Sequence, residues 1–244
     1  MAKLIFLDTE TTGVDPQHAE IIECAYSIDN VMRNELFSPN SHANQMNGHN
    51  IIPYEVTCVN NIRDEDVQFC DRFGESKMCN DLKSYAEQGY TIVCHNTDFD
   101  CAMLERYGIN FNNKMCTLKI AQYYLPDMAN HKLGTLHAYL CKKLEGQAHR
   151  ASYDVEMLIQ VFNEINKTII PDIELSTANE IATQAAWDKR VNVWGFGKYK
   201  GQRLDPNSND QSSYVNWLLK QPEDPKYPRD KEFYKNIKKI FNIV

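Results

Sequence analysis

Lys3-Leu4-Ile5-Phe6-Leu7-Asp8-Thr9-Glu10-Thr11-Thr12-Gly13 is the stretch on which the reading of this chain turns. Leu4 and Phe6 fall on one alternate face and Ile5 and Leu7 on the other, so residues 3–7 predict a central strand buried on both sides. Asp8 and Glu10 follow at its exit, two residues apart. If the chain stays extended there, both carboxylates point to one face of the sheet. The plain alternative is a polar strand end running into a turn at Thr11-Thr12-Gly13.

Outward from this strand, residues 20–28 and 31–37 flank Asp29-Asn30, a hairpin signal. A helix over 77–88 stops at Gly89, a short buried strand covers 91–94, and a helix over 98–107 is closed by Gly108. Helical spacing returns at 118–124, 133–140 and 155–165, and again at 177–189, 214–220 and 230–241. Strands first, then strands alternating with helices, predict an α/β fold: a mixed sheet flanked by helices, with a small C-terminal module.

The chain has 244 residues, 43% of them hydrophobic and 24% charged. At roughly 150 residues per domain, that suggests one full domain and a smaller attachment. Residues 1–170 hold 14 Lys+Arg against 23 Asp+Glu, whereas residues 171–244 hold 12 against 10 and all three tryptophans. This shift predicts an acidic domain over 1–170 and a basic, aromatic module over 171–244. No apolar run is long enough for a signal-peptide core or a membrane span, so a cytoplasmic protein without a membrane partner is expected. The eight cysteines include no C-x-x-C pair, which argues for reduced thiols rather than a zinc site or disulfides. A net charge of −7 at first argues against a nucleic-acid partner.

Two further acids sit where a core is being built. Asp100 shares a helical stripe with Met103, Leu104 and Tyr107. It is either a carboxylate turned toward the interior or an N-terminal cap, a role Asp98 would equally fill. Asp154 borders the stripe of Leu158, Val161 and Ile165. Several carboxylates brought together would repel one another, and a hard divalent cation with oxygen ligands, Mg²⁺ or Mn²⁺, resolves that repulsion.

Phe6-Leu7-Asp8-Thr9-Glu10-Thr11-Thr12-Gly13 resembles the first motif of the DnaQ-like, DEDDh-type 3′–5′ exonucleases. His95-Asn96-Thr97-Asp98-Phe99-Asp100 resembles the second, with Thr97 where alanine is usual. His149-Arg150-Ala151-Ser152-Tyr153-Asp154 resembles the third; Arg150 stands where a tyrosine-type member would carry tyrosine, leaving His149 as the candidate base. Ile21-Ile22-Glu23, Cys116-Thr117-Leu118 and Leu133-Gly134-Thr135-Leu136 agree as well. The resemblance covers about residues 3–166. It implies a ribonuclease H-like sheet and a metal-dependent exonuclease that hydrolyses DNA from its 3′ end to nucleoside 5′-monophosphates.

By the same resemblance, Asp8, Glu10, Asp100 and Asp154 are metal ligands for two Mg²⁺ or Mn²⁺ ions about 3.5–4 Å apart. His149 is the general base, with an ordinary pKa near 6.5. Thr11, Thr12, Gly13, Glu55, Asn60, His95, Asn96 and Phe99 are substrate-binding candidates, Asn60 replacing a histidine usual in the family. In the tail, 196–201 and Tyr214-x-x-Trp217-Leu218 resemble the C-terminal region of the exodeoxyribonuclease X-like members of that family. Trp194, Lys198, Tyr199, Lys200 and Arg203 are candidates for a nucleic-acid platform; the alternative is a packed module whose aromatics form its own core. The rival functions are a proofreading subunit with a DNA polymerase as partner, an exoribonuclease, and an inactive nucleic-acid-binding module.

Overall fold

The computed structural model describes residues 3–39, 52–142, 150–223 and 229–243. Five strands form one mixed sheet in the order β3-β2-β1-β4-β5: β1 (Leu4–Thr11), β2 (Ile21–Ile28), β3 (Val31–Leu36), β4 (Thr91–Cys94) and β5 (Asn113–Cys116). β1, β2 and β3 are antiparallel neighbours, while β4 and β5 run parallel to β1. The β2–β3 hairpin closes through Asp29 and Asn30, both at positive φ, with Ile28 facing Val31. Two left-handed residues match the twist of a two-residue hairpin, and Asn and Asp adopt that conformation at little cost.

Among the described residues the helices are α1 (Tyr54–Asn60), α2 (Asp64–Val67), α3 (Lys77–Glu87), α4 (Thr97–Glu105), α5 (Thr117–Tyr124), α6 (Leu133–Cys141), α7 (Ala151–Glu164), α8 (Leu175–Asn192), α9 (Asn209–Lys220) and α10 (Lys231–Ile240). The alternation of β1 sorts them. Ile5 and Leu7 share a buried cluster with Leu82 of α3 and Leu104 of α4. Phe6 joins Ala25 of β2 and Val155 of α7 in a second cluster, and meets Phe162 edge-on at 5.0 Å. β1 is therefore covered on both faces, as its unbroken apolar run requires.

Several elements differ from the sequence expectation, and α1 and α2 were not foreseen at all. β1 continues to Thr11, with a register shift between Glu10 and Thr11, so the strand carries both acids. β5 was not foreseen: its four residues begin with exposed Asn113 and Lys114, and so short an edge strand leaves little pattern. α7 begins at Ala151, which places Asp154 in its first turn.

The chain forms two compact units, Met1–Asn179 and Glu180–Val244. The first runs past the composition shift near residue 170: the Asn179 side chain accepts from the Cys116 N–H at 2.9 Å and donates to the Lys114 carbonyl at 3.0 Å. The second is built around Trp194, which packs with Tyr199, Val215, Phe233 and Ile237. Its indole N–H donates to Gln211 at 2.9 Å, and Gln211 also holds the backbone at Arg203 and Asp205. Gly197 has φ +70°, and a Cβ there would collide with the Tyr214 hydroxyl. Among the described residues, no helix is long and apolar enough to cross a membrane.

Leu7→Ala, at a fully buried site, is expected to cost about 2–5 kcal/mol of stability, read from equilibrium urea denaturation.

Candidate active site

The face of β1 that carries Phe6 also carries Asp8 and Glu10, opposite Ala25 and Glu23 of β2. α7 packs against this face and presents Asp154, 8% exposed, from its first turn. One carboxylate oxygen each from Asp8, Glu10 and Asp154 come within 4.8 Å of one another. Two full negative charges about 4.8 Å apart repel by about 3–4 kcal/mol at an effective dielectric of about 20. A single hydrogen bond, net about 1 kcal/mol, does not offset that. The metal-free site therefore holds protons. Burial, then Asp154, raises Glu10 to about 7. Burial first, then Asp100, Asp154 and Glu10, pushes Asp8 well above the ordinary carboxylate range. Three hard oxygen donors so placed suit a small divalent cation such as Mg²⁺ or Mn²⁺.

Asp100 stands apart from this group. It lies on α4, 4% exposed, and accepts a 2.8 Å hydrogen bond from Thr9 Oγ1. Burial raises it to about 7, against the lowering pull of the Thr9 bond. Its charge reaches Asp8, but it is not among the three clustered oxygens. His149 lies outside the described residues.

The remaining predicted residues divide. Asn60, 1% exposed at the end of α1, donates from Nδ2 to Glu10 Oε2 at 3.4 Å, while its Oδ1 accepts from the Ile62 N–H at 3.0 Å. Thr12 closes its loop on Glu20: its hydroxyl accepts the Glu20 N–H and its own N–H donates to the Glu20 carbonyl, both at 2.9 Å. Thr11 Oγ1 donates to the Gly13 carbonyl at 2.6 Å. Glu55 is exposed in the first turn of α1, Asn96 is exposed at the start of α4, and Phe99 packs against the main core. His95 is held on both sides. Its Nε2 donates to the His131 carbonyl at 2.8 Å, leaving Nδ1 to accept from Thr117 Oγ1 at 3.0 Å. Burial lowers its pKa to about 4, so it is a neutral brace, with both ring nitrogens engaged by the protein.

In the C-terminal unit, Trp194 is 1% exposed and Tyr199 is buried, so both rings pack the module's interior and neither offers a face to a base. Arg203 pairs with Asp188 at 3.0 Å. Lys198 and Lys200 are exposed, Lys198 Nζ lying 5.1 Å from the Tyr199 ring centre. Among the described residues, the open rings of this unit are Trp187, Phe196 and Trp217, the last 54% exposed and stacked on Tyr214 at 5.5 Å.

Motif reading passed over one ion pair. Glu23 is fully buried beside the site and accepts two hydrogen bonds from Arg150 Nε and Nη2. Its signal was a charged residue inside the otherwise apolar run Ile21-Ile22-Glu23-Cys24-Ala25, since a buried carboxylate needs a partner.

Glu10 and Asp100 have folded-state values near 7, against ordinary values of 4.5 and 3.8, so they stabilise the metal-free fold only while protonated. That contribution is complete in acid and is lost as pH rises through about 7. With EDTA present, the thermal midpoint is expected to fall between about pH 4 and 7, and Mg²⁺ at pH 8 to restore it. Asp8→Asn should flatten the dependence by removing one charge; an unchanged slope in differential scanning calorimetry would count against the repulsive cluster.

The model of a family described as "Exonuclease" matches residues 5–162. A PolC-type DNA polymerase III of Bacillus cereus is 26% identical over 180 residues, which is 66% of this chain and 11% of the polymerase; this chain thus spans about a tenth of that relative. Exodeoxyribonuclease 10 of Escherichia coli is 24% identical over 222 residues, covering 88% of this chain and 90% of that one. A solved structure of exonuclease X in complex with 5′-overhanging duplex DNA superposes with a TM-score of 0.51 at 20% identity, over 73% of this chain and 99% of the other, a likeness of fold. With the family model spanning the strand of Asp8 and Glu10, the helix of Asp100 and the helix of Asp154, the chain belongs to the DnaQ-like exonucleases, on a ribonuclease H-like sheet.

Proposed function

We propose that this protein is a divalent-cation-dependent 3′–5′ exonuclease that shortens DNA from its 3′ end and releases nucleoside 5′-monophosphates. The observation that carries this reading is the meeting of Asp8, Glu10 and Asp154, from the first strand and a helix some 150 residues later, with oxygens within 4.8 Å. These residues would hold Mg²⁺ or Mn²⁺, with Asp100 contributing from beside Thr9. Two such ions, when bound, supply Lewis acidity at the scissile phosphate and offset the carboxylate charge. His149, the residue before Arg150 in the sequence, is assigned as the general base that takes the proton from the attacking water. Asn60 orients the Glu10 carboxylate, and the turn at Thr11–Gly13 borders the place of the terminal nucleotide.

A stand-alone enzyme is favoured by the relation to exodeoxyribonuclease 10, which extends beyond the catalytic unit over nearly the whole of both chains. Proofreading beside a polymerase is the second reading, favoured by the relation to the PolC-type polymerase, and a chain that co-purifies with a polymerase would support it. The exposed cations Lys198 and Lys200 are assigned to phosphate contacts in either case.

On 5′-labelled single- and double-stranded DNA and RNA, a ladder shortening from the 3′ end is expected on DNA with Mg²⁺ or Mn²⁺ and not with EDTA. His149→Ala should lose at least about 100-fold in kcat at an unchanged thermal midpoint. Shortening from the 5′ end, or full activity in that variant, would overturn the assignment. Replacing Lys198 and Lys200 together by glutamine should weaken DNA binding about equally for all sequences and reduce the slope of log K against log salt by about two.

A further inference from the structure

α7 begins without a cap of its own. Its N-cap residue is Arg150, whose side chain caps no backbone N–H, and Ala151 and Ser152 follow. The missing acceptor comes from across the sheet. Glu23, in the middle of β2, accepts the Ala151 N–H at 3.1 Å through Oε2. The same carboxylate accepts Arg150 Nη2 at 2.9 Å and Nε at 3.1 Å, the two-pronged geometry in which a guanidinium fits a carboxylate. Asn34 Nδ2 of β3 donates to it at 3.0 Å. Four donor groups, from the start of α7 and from β3, thus converge on one side chain with no exposed surface. In the β1–β2 ladder Glu23 is directly opposite Glu10.

The same three-residue stretch of chain connects this clamp to the site. Asp154 is three residues beyond Ala151 in the same first helical turn, and its backbone N–H donates to the Arg150 carbonyl at 3.0 Å. β2 fixes Glu23, Glu23 fixes the start of α7, and the start of α7 fixes where the Asp154 carboxylate meets Asp8 and Glu10. We propose that Glu23, acting through Arg150 and the Ala151 N–H, is a positioning residue that sets the divalent-cation affinity of the Asp8–Glu10–Asp154 group. This rests on the cation reading above. It assigns Glu23 no contact with metal or substrate. A helix start tied only by fraying backbone bonds would let the third carboxylate drift, and cation sites of this kind lose affinity when the groups that orient their ligands are removed.

Arg150 offers the cleanest test. Its side chain is 34% exposed, against none for Glu23, and it lines a cleft with Asn61, Arg63 and Asp66. Arg150→Lys keeps the charge and loses the fork; Arg150→Met loses both; Glu23→Gln keeps one acceptor for the Ala151 N–H and loses the ion pair. The measurements are Mn²⁺ affinity by calorimetric titration, the thermal midpoint in EDTA, and kcat and KM on a 5′-labelled oligonucleotide across a Mn²⁺ series. Mn²⁺ affinity should fall about tenfold or more in Arg150→Met and Glu23→Gln and less in Arg150→Lys. In Arg150→Lys, saturating Mn²⁺ should restore kcat, with KM for DNA unchanged.

Wild-type Mn²⁺ affinity in Arg150→Lys and Arg150→Met, with only a lowered midpoint, would overturn the proposal and leave a structural ion pair. A raised KM for DNA at unchanged Mn²⁺ affinity would also overturn it, assigning Arg150 to the substrate. A wild-type protein that binds no Mn²⁺ would bring down the cation reading itself, and this proposal with it.

Discussion

Mutual repulsion of carboxylates at the end of one strand is the constraint that the catalytic unit is arranged around. Asp8 and Glu10 share a face of β1 because side chains alternate along an extended chain. The third acid is delivered to that face by α7, which packs there for ordinary apolar reasons through Phe162 and Val155. Asp154 and Asp100 both lie in the first turns of their helices, where the partial positive charge of unsatisfied N–H groups favours an anion. That effect, about 0.3–1 kcal/mol, is smaller than the repulsion between neighbouring charges, and burial and repulsion together raise the pKa values of Asp8 and Glu10. The packing energy of the sheet and α7 holds together a group of charges that would otherwise separate.

How much of this was legible in the sequence depended on whether the information was local. The strand 91–94, the hairpin at Asp29-Asn30 and the helix after Ser76 follow from short-range pattern and turn chemistry. The carboxylates stood out because charged residues interrupted apolar stripes, and three motifs in order gave the family. Distances between elements were not legible. Nothing local to residues 95–100 shows that Asp100 binds Thr9 and stands outside the three-oxygen group, or that both nitrogens of His95 are engaged by the protein. Glu23 was visible as a charge in an apolar strand, but its partner lies 127 residues away, beyond any periodicity.

The C-terminal unit shows the same limit in composition. Aromatic and basic residues interleaved along 187–203 fit either a stacking platform or the interior of a small module. A unit of this size has few apolar residues and needs its large rings to build a core at all. Trp194 takes that part, with its N–H satisfied by Gln211, and among the described residues the rings left in solvent are Trp187, Phe196 and Trp217. Composition identified the unit's chemistry; the division into interior and surface came from the tertiary contacts.

The net charge of −7 also means something different once it is divided by unit. Residues 1–179 hold 14 Lys+Arg against 25 Asp+Glu, and residues 180–244 hold 12 against 8. Phosphate backbones bind through cations and the counterions they release, so a unit at −11 is a poor polyanion binder by itself. Divalent ions held by Asp8, Glu10 and Asp154 would invert the local sign at that cluster, while the acids elsewhere on the unit would still repel a strand. Under the exonuclease reading, the cations thus select where on the acidic unit a strand is tolerated as well as supplying chemistry.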